Sequence, residues 1–219
     1  MQFTYAVGDS HGCADKLKRL VTRCRAHANG RPIKFVFLGD YIDRGSHSRE
    51  VIEFLIDLQS QMPAQVICIM GNHEELALAA RHGGHYEEHW LRNGGDETLR
   101  SYGVTKAIEL PVTHVTWIDS LPLQHDDGLR FFVHAGIDPN RPLNEQSPHD
   151  LLWIRGPFLA DERVYERYIV HGHSPLLNRK PDQRANRLNL DTAAVLGGPL
   201  TAGVFDDKQI EPICFLQAN

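Results

Sequence analysis

Five apolar segments of this chain end in glycine together with aspartate, asparagine or histidine, which are residue types that bind metal ions through oxygen and imidazole nitrogen. The groups are GDSHG (8–12), GDYIDRG (39–45), GNHE (71–74), HAG (134–136) and HGH (171–173). Each group alone has a common structural explanation, because Gly-Asp forms turns, Asn caps helices and half-buried histidines find hydrogen-bond partners within a fold. Five such groups in one chain instead predict a polar cluster that binds cations.

The segments before the first three groups predict parallel strands separated by helices. Short apolar runs occur at FTYAV (3–7), IKFVFL (33–38) and QVICIM (65–70). Between them, apolar residues recur at helical spacing over residues 17–24 and 51–58. This alternation is typical of a β-α-β-α-β unit with a parallel sheet and right-handed crossovers.

Further strands are predicted in the second half of the chain, at 130–136, 168–173, 187–195, 200–207 and 210–216, with a hairpin turn at Asp206-Asp207.

Residues 81–120 include a polar, glycine-rich stretch, and we expect them to form an irregular or helical insertion on the substrate side. We therefore interpret residues 1–219 as one domain. Ligands of open α/β sheets bind beyond the carboxyl ends of strands, so the five groups should converge if those ends lie side by side.

The expected cluster favours a pair of metal ions. The side chains that would converge are Asp9, His11, Asp40, Asn72, His134 and one of His171 and His173. Oxygen and imidazole donors without thiolate suit Mn²⁺, Fe²⁺/Fe³⁺ or Zn²⁺. So many ligands serve two ions about 3.5–4 Å apart better than one, and a water shared by two such ions becomes a hydroxide nucleophile. Asp40 is the expected bridge, because its strand would lie between the other two early strands.

The five groups, in this order, resemble the metallophosphoesterase superfamily and, within it, the short bacterial and phage branch of the serine/threonine phosphoprotein phosphatase family. Further similarity to that branch lies at HWLRNGGDETLRSYG (89–103), LLWIR (151–155) and NLDTAAVLGGPLTAGVF (189–205). The resemblance implies an α/β fold (α+β by some schemes), namely a metallophosphoesterase-type β-sandwich whose βαβαβ metal-binding core is flanked by helices. It also implies two divalent ions, with Mn²⁺ expected and Fe or Zn as alternatives.

The resemblance implies a role for each matching residue. One metal ion would be held by Asp9, His11 and Asp40, and the other by Asp40, Asn72, His134 and His173. The family pattern of Gly-His followed by Ser/Thr-Pro favours His173 over its neighbour His171. His73 resembles the general acid, and Asp43 would orient it. Arg44 and Arg155 resemble a guanidinium clamp on the phosphoryl oxygens.

The activity that these features imply is hydrolysis of phosphomonoesters by a hydroxide bridging two metals, with a phosphoprotein or phosphopeptide as substrate. Related enzymes with the same core cleave dinucleoside polyphosphates or RNA 5′-ends, which is the alternative. Trp90 and Tyr102 could stack a base there, although packing is the commoner role of such residues. A degenerate phosphatase that only binds phosphopeptides is disfavoured, because no ligand and no acid is missing.

The composition narrows the possible partners. The chain has a formal net charge of −5, so it lacks the basic footprint of a nucleic-acid-binding protein. Its four cysteines include no C-x-x-C pair, which indicates a reducing compartment. We see no leader peptide and no apolar run near the roughly 20 residues of a membrane helix, so a cytoplasmic protein without a membrane partner is expected. The long C-terminal part of larger eukaryotic relatives is also absent, so no regulatory subunit is implied.

Two positions depart from the family pattern. Ser10 is polar where an aliphatic residue is usual, and Ala193 stands where glycine is common after Asp-Thr. Neither residue is a predicted ligand. We therefore expect both departures to affect local packing rather than chemistry.

Overall fold

The computed structural model describes residues 2–219, in which two five-stranded sheets pack between layers of helices. The strands are β1 (Phe3–Val7), β2 (Ile33–Phe37), β3 (Val66–Cys68), β4 (Gln124–Asp126), β5 (Arg130–Val133), β6 (Tyr168–His171), β7 (Asp182–Gln183), β8 (Arg187–Asn189), β9 (Leu200–Phe205) and β10 (Cys214–Ala218). The helices are α1 (Ala14–Ala28), α2 (Ser48–Gln61), α3 (Asn72–Ala80), α4 (His85–Trp90), α5 (Asp96–Tyr102), α6 (Val112–Asp119), α7 (Pro148–Trp153) and α8 (Gly156–Leu159). The segment Leu91–Gly95, which is kinked at Gly94 (φ 101°), joins α4 to α5, and short 3₁₀ turns lie at Ala107–Glu109, Leu143–Glu145 and Ala194–Leu196.

The first sheet confirms the β-α-β-α-β unit. Its strand order is β10-β9-β1-β2-β3, with β1, β2 and β3 parallel and β9 antiparallel to both β1 and β10. Strand β2, which leads to Asp40, lies between β1 and β3 as predicted. The hairpin of β9 and β10 is present, and residues 206–213, which include Asp206-Asp207, connect its two strands.

The second sheet contains the other strands that lead to the site. Its order is β4-β5-β6-β8-β7, and β5, β6 and β8 are parallel. The strand ends therefore do not lie side by side in one sheet. Three ends belong to the first sheet and two to the second, and they meet at one edge of the sandwich.

Burial on both faces explains why the early strands are mostly apolar and do not alternate between apolar and polar residues. Because successive side chains point to opposite faces, Tyr5 and Phe35 pack toward the helices while Ala6 and Val36 pack against the second sheet. Phe132 is fully buried between the sheets, and its replacement by alanine would cost about 3–5 kcal/mol.

The insertion packs as part of the helical layer. Helix α4 packs on α3, and α5 packs on α2. Trp90, Leu99 and Ile118 belong to the same apolar core as the first sheet and its helices. None of the helices within residues 2–219 combines the length and apolar character needed to cross a membrane.

Candidate functional site

The polar groups predicted from the sequence lie together at the edge where the two sheets meet. Asp9 and His11 follow β1, Asp40, Asp43 and Arg44 follow β2, Asn72 and His73 begin α3, His134 follows β5, and His173 follows β6. The six predicted metal ligands are at most 5% exposed, whereas Arg44 and Arg155 are exposed. Burying so many polar groups in one place requires compensation by hydrogen bonds or by opposite charge.

Asp40 lies between two groups of imidazoles. Its Oδ2 atom is 3.3 Å from Nε2 of His11 and 3.9 Å from Nε2 of His73, and its Oδ1 atom is 3.3 Å from Nε2 of His134. Ligand atoms of Asp40, His134 and His173 lie within 4.8 Å of one another, as do those of Asp40, His11 and His73. Burial alone would raise the pKa of Asp40, but the facing imidazoles hold it well below its usual range. Asp40 is shared by both groups, which is the position that a bridging carboxylate requires.

Hydrogen bonds behind the histidines determine which ring nitrogen faces Asp40. Nδ1 of His11 and Nδ1 of His134 each donate to a backbone carbonyl oxygen at 2.8 Å. In a neutral ring Nε2 then carries a lone pair, which faces the Asp40 carboxylate. Nε2 of His134 also lies 2.8 Å from Oδ1 of Asn72, a further acceptor. Acceptors that face one another without a proton between them are stabilised by a cation, so these residues fit a divalent metal ion.

Asp9 lies beside the two groups rather than inside either of them. Its carboxylate accepts hydrogen bonds from the backbone N–H of His173, at 3.0 and 3.2 Å. Burial, and then repulsion by Asp191 and Asp40, raise the pKa of Asp9 well above its usual range. A cation between Asp9 and Asp40 would offset this repulsion. Gly172 is required here, because a Cβ atom at that position would lie 2.0 Å from Oδ1 of Asp9.

The structure separates His173 from His171. Nδ1 of His173 lies 2.8 Å from Oδ1 of Asn72, and burial lowers the pKa of His173 to about 2. His171 instead packs against Phe158, with 5.1 Å between ring centroids, and its Nε2 atom has no hydrogen-bond partner among residues 2–219. Of the two histidines, His173 is the one that shares a group with Asp40.

The predicted acid and its orienting carboxylate are also in contact. Nδ1 of His73 lies 2.7 Å from Oδ2 of Asp43, and both side chains are buried. The second ring nitrogen, Nε2, therefore remains available on the side of Asp40. The two predicted phosphate ligands lie nearby, because Arg44 contacts Nε2 of His11 at 2.9 Å and Arg155 donates to Nε2 of His173 at 3.0 Å.

Several site residues adopt backbone conformations that L residues rarely take. The φ angles are 38° for His11, 53° for Asp40, 71° for Asp43, 66° for Arg44 and 64° for His173. Such left-handed conformations cost on the order of 1–3 kcal/mol each and persist only where surrounding contacts impose them. The loops after the strands are therefore shaped by tertiary contacts rather than by local preference.

Glu74 supplies one of these contacts, although its sequence position resembles an ordinary glutamate in a first helical turn. Its Oε2 atom accepts hydrogen bonds from the backbone N–H groups of Asp40 and Gly71, at 2.8 and 2.9 Å. Its Oε1 atom accepts from the N–H of Tyr41 at 2.8 Å. Fully buried Glu74 thus ties the loop after β2 to the start of α3.

Trp90 and Thr98 also contact the site, which sequence reasoning did not predict. Trp90 donates from Nε1 to both carboxylate oxygens of Asp43, and Thr98 donates from Oγ1 to one of them. Trp90 is fully buried, so it cannot stack a base. Because 47 and 55 residues separate these two from Asp43, no local spacing in the sequence reveals the contacts.

Both departures from the family pattern have local structural consequences. The Oγ atom of Ser10 is buried without a hydrogen-bond partner among the residues that the structure describes. Ala193 adopts a left-handed conformation with φ 59° and ψ 47°, which explains why glycine is common at this position. Neither residue contributes a side chain to the two groups around Asp40.

Comparison with known proteins places this geometry in context. Residues 4–198 match the family model of calcineurin-like phosphoesterases. The chain is 29% identical over 209 residues to serine/threonine-protein phosphatase 1 of Salmonella typhimurium, covering 90% of this chain and 89% of that protein. It is 30% identical over 221 residues to the asymmetrical bis(5′-nucleosyl)-tetraphosphatase PrpE of Anoxybacillus flavithermus, covering 90% of this chain and 87% of that protein.

A solved structure supports the fold assignment. The cold-active protein-tyrosine phosphatase of a psychrophilic Shewanella species superposes with a TM-score of 0.67 at 17% sequence identity. The superposition covers 100% of this chain and 81% of that one. At this level of identity the likeness concerns the fold, so the substrate has to be argued from the site.

Proposed function

Since the chain belongs to the calcineurin-like phosphoesterase family, whose members use divalent metal ions, we propose that it is a metal-dependent serine/threonine protein phosphatase. The observation that carries this proposal is the position of Asp40, which is 3.3 Å from both His11 and His134 while the His73–Asp43 pair lies beside it. A shared carboxylate next to an oriented imidazole is an arrangement suited to phosphoryl transfer to water.

The proposed cofactor is a pair of divalent cations, with Mn²⁺ preferred and Fe or Zn able to use the same donors. The proposed ligands are Asp9, His11 and Asp40 for one ion and Asp40, Asn72, His134 and His173 for the other. When bound, such ions acidify a water molecule to hydroxide and neutralise charge on the phosphoryl group.

Arg44 and Arg155 are proposed to bind the phosphoryl oxygens. Each guanidinium group now contacts the Nε2 atom of a histidine in the cleft, His11 and His173 respectively. A planar guanidinium presents paired N–H donors that match phosphoryl oxygens better than an ammonium group does. Because both arginines are exposed, they can turn toward a substrate without disturbing the core.

His73 is proposed to protonate the leaving alkoxide. Its Nδ1–H donates to Asp43, so Nε2–H is the bond that can be directed at the leaving oxygen. Transfer of this proton typically contributes about 10²–10⁴ in rate. Asp43 touches the imidazole rather than the substrate, so its role is to orient the acid.

The choice of a phosphoprotein substrate has two supports. The relative from Salmonella typhimurium, a serine/threonine-protein phosphatase, matches over nearly the full length of both chains. In addition, the two aromatic residues considered for base stacking pack within the protein. Trp90 is fully buried, and the half-buried Tyr102 packs against the apolar core and against His114, with 5.6 Å between ring centroids. Hydrolysis of dinucleoside polyphosphates is the second candidate, favoured by the comparable identity to the tetraphosphatase of Anoxybacillus flavithermus.

A substrate panel tests the proposal. Phosphoserine, phosphothreonine and phosphotyrosine peptides and diadenosine tetraphosphate would be incubated with the protein and Mn²⁺, Fe²⁺, Zn²⁺ or a chelator. We expect phosphate release chiefly from the phosphoserine and phosphothreonine peptides with Mn²⁺, with loss of activity in chelator and in Asp40→Asn. Asp119→Asn, which changes an exposed carboxylate on α6, is the matched control. Preferred cleavage of diadenosine tetraphosphate would replace the first candidate by the second, and no hydrolysis with any metal would refute both.

A further inference from the structure

Asp43 accepts more hydrogen bonds than the orientation of His73 alone requires. Its Oδ2 atom accepts from Nδ1 of His73 at 2.7 Å and from Nε1 of Trp90 at 2.9 Å. Its Oδ1 atom accepts from Oγ1 of Thr98 at 2.6 Å and from Nε1 of Trp90 at 3.1 Å. Donors on both oxygens fix the rotation of this carboxylate, which is 0% exposed, so that bulk solvent cannot take their place.

The same part of the chain holds the backbone of Asp43. Asp43 and Arg44 are consecutive residues in left-handed conformations, with φ angles of 71° and 66°. Oγ1 of Thr98 accepts from the N–H of Asp43 at 2.9 Å, and the carbonyl oxygen of Gly94 accepts from the N–H of Arg44 at 3.0 Å. The Oγ1 atom of Thr98 therefore contacts both the side chain and the backbone N–H of Asp43. Together with the bond from Arg44 to Gly94, these bonds oppose relaxation of two strained residues.

Trp90 has little freedom to move away from Asp43. Its side chain is 0% exposed, and Gly95 lies so close that a Cβ atom at that position would be 2.4 Å from the indole ring. The chain is kinked at Gly94 (φ 101°), between α4 and α5. Trp90 and Thr98 lie on either side of this kink, and both contact the carboxylate of Asp43.

His73 needs this restraint because it lies between two carboxylates. Asp43 is on its Nδ1 side at 2.7 Å, and Asp40 is on its Nε2 side at 3.9 Å. If the ring turned so that its Nε2–H bond pointed at Asp40, that proton would not be directed at a leaving group. The direction of the Nδ1–H bond therefore depends on how firmly Asp43 is held.

We propose that Trp90 and Thr98 are positioning residues for the general acid, which fix Asp43 so that His73 presents Nε2 to the leaving oxygen. This inference rests on the proposed function of His73. It assigns to the insertion a role in orienting the acid, in addition to any contact with substrate.

The test removes each hydrogen-bond donor by a single substitution. Trp90→Phe removes the indole N–H, and Thr98→Val removes the hydroxyl group at nearly constant volume. In the Mn²⁺-loaded protein we expect kcat for a phosphoserine peptide to fall about tenfold in each variant, with KM unchanged. The kcat for p-nitrophenyl phosphate should change less than about twofold, because its leaving group needs little protonation.

Two controls separate this role from a general effect on folding. Thr98→Ser retains the hydroxyl group and should keep kcat for the peptide close to that of the unmodified protein. Trp117→Phe removes an indole N–H that donates to Gln59 at 2.8 Å outside the cleft, and it should leave both substrates unaffected. Equal losses on both substrates in Trp90→Phe and Thr98→Val, or no loss on either, would overturn the proposal.

A second readout does not depend on activity. In metal-free protein labelled with ¹⁵N-histidine, we expect the His73 shifts to show a proton held at Nδ1, and Thr98→Val to move them toward an exchanging mixture of tautomers. Unchanged shifts in both Thr98→Val and Trp90→Phe would contradict the positioning role. If His73→Asn lowered turnover of alkyl and aryl phosphates equally, the proposed role of His73 as the acid would be wrong. If His73→Asn lowered alkyl turnover more than aryl turnover but Trp90→Phe and Thr98→Val did not, only the positioning role of Trp90 and Thr98 would be wrong.

Discussion

The Nδ1 atom of His73 and the Oδ2 atom of Asp43 are 2.7 Å apart, and neither side chain is more than 1% exposed. A carboxylate buried to this degree is stable as an ion only when donors surround it, and the imidazole is one of those donors. The contact therefore stabilises the buried loop after β2 and directs one ring nitrogen of His73 toward the cleft.

The first prediction concerns the leaving group. His73→Asn should lower turnover of a phosphoserine peptide by about 10²–10⁴, because an alkoxide leaving group requires a proton. Turnover of p-nitrophenyl phosphate should fall much less. Steady-state kinetics on both substrates measures the difference. His85→Asn, which replaces an exposed histidine on α4, should change neither value.

The second prediction concerns the two arginines. Arg155→Lys keeps the charge but loses the paired N–H donors, so we expect KM for phosphopeptide and the inhibition constant for inorganic phosphate to rise about tenfold. Arg44→Lys should behave in the same way. Arg163→Lys is the control, because Arg163 is an exposed side chain paired with Asp161. Unaltered phosphate inhibition in both cleft variants would contradict the clamp.

The third prediction concerns the pH dependence of metal binding. Burial alone would lower the pKa of His11, but Asp40 raises it above the ordinary value, whereas burial lowers the pKa of both His134 and His173. A proton competes with a cation for each imidazole. As the pH falls, His11 should therefore be protonated first, and the ion on its side should be lost before the ion held by His134 and His173.

Metal content after equilibrium dialysis between pH 8 and pH 5 checks this order. We expect a species with one ion per chain at intermediate pH, and activity that disappears with the first ion. Simultaneous release of both ions, or earlier release from the His134 side, would show that the order is wrong.

The fourth prediction concerns stability. Glu74→Gln replaces a carboxylate that accepts three short backbone hydrogen bonds by a group with only one acceptor atom, so it leaves buried N–H groups without a partner. We expect a loss of about 1–3 kcal/mol in the free energy of unfolding, measured by urea titration of the metal-free protein. Glu50→Gln, which breaks an exposed ion pair with Lys18, should cost less than about 1 kcal/mol. A cost no larger than that of the control would contradict the anchoring role.

The parts of this fold that can be predicted from the sequence are those with a local signal. The short apolar runs, the helical spacing between them and the turn residues after each run predicted β1, β2 and β3 and the central position of Asp40. The same residues predicted a cluster of oxygen and imidazole groups. These features follow from the chemistry of neighbouring residues, so they can be recognised without knowledge of the fold.

The amino-acid sequence by itself therefore determined the early β-α-β-α-β unit and the residue types that gather at its strand ends. Only the tertiary structure decided that two sheets supply these ends, that His173 rather than His171 reaches Asp40, and that Trp90 and Thr98 hold Asp43. The physical reason is distance along the chain, because contacts between residues dozens of positions apart depend on how whole layers pack and leave no periodic pattern. The tertiary structure also decided the left-handed conformations of Asp40, Asp43 and Arg44, since local preference disfavours them and long-range hydrogen bonds hold them in place.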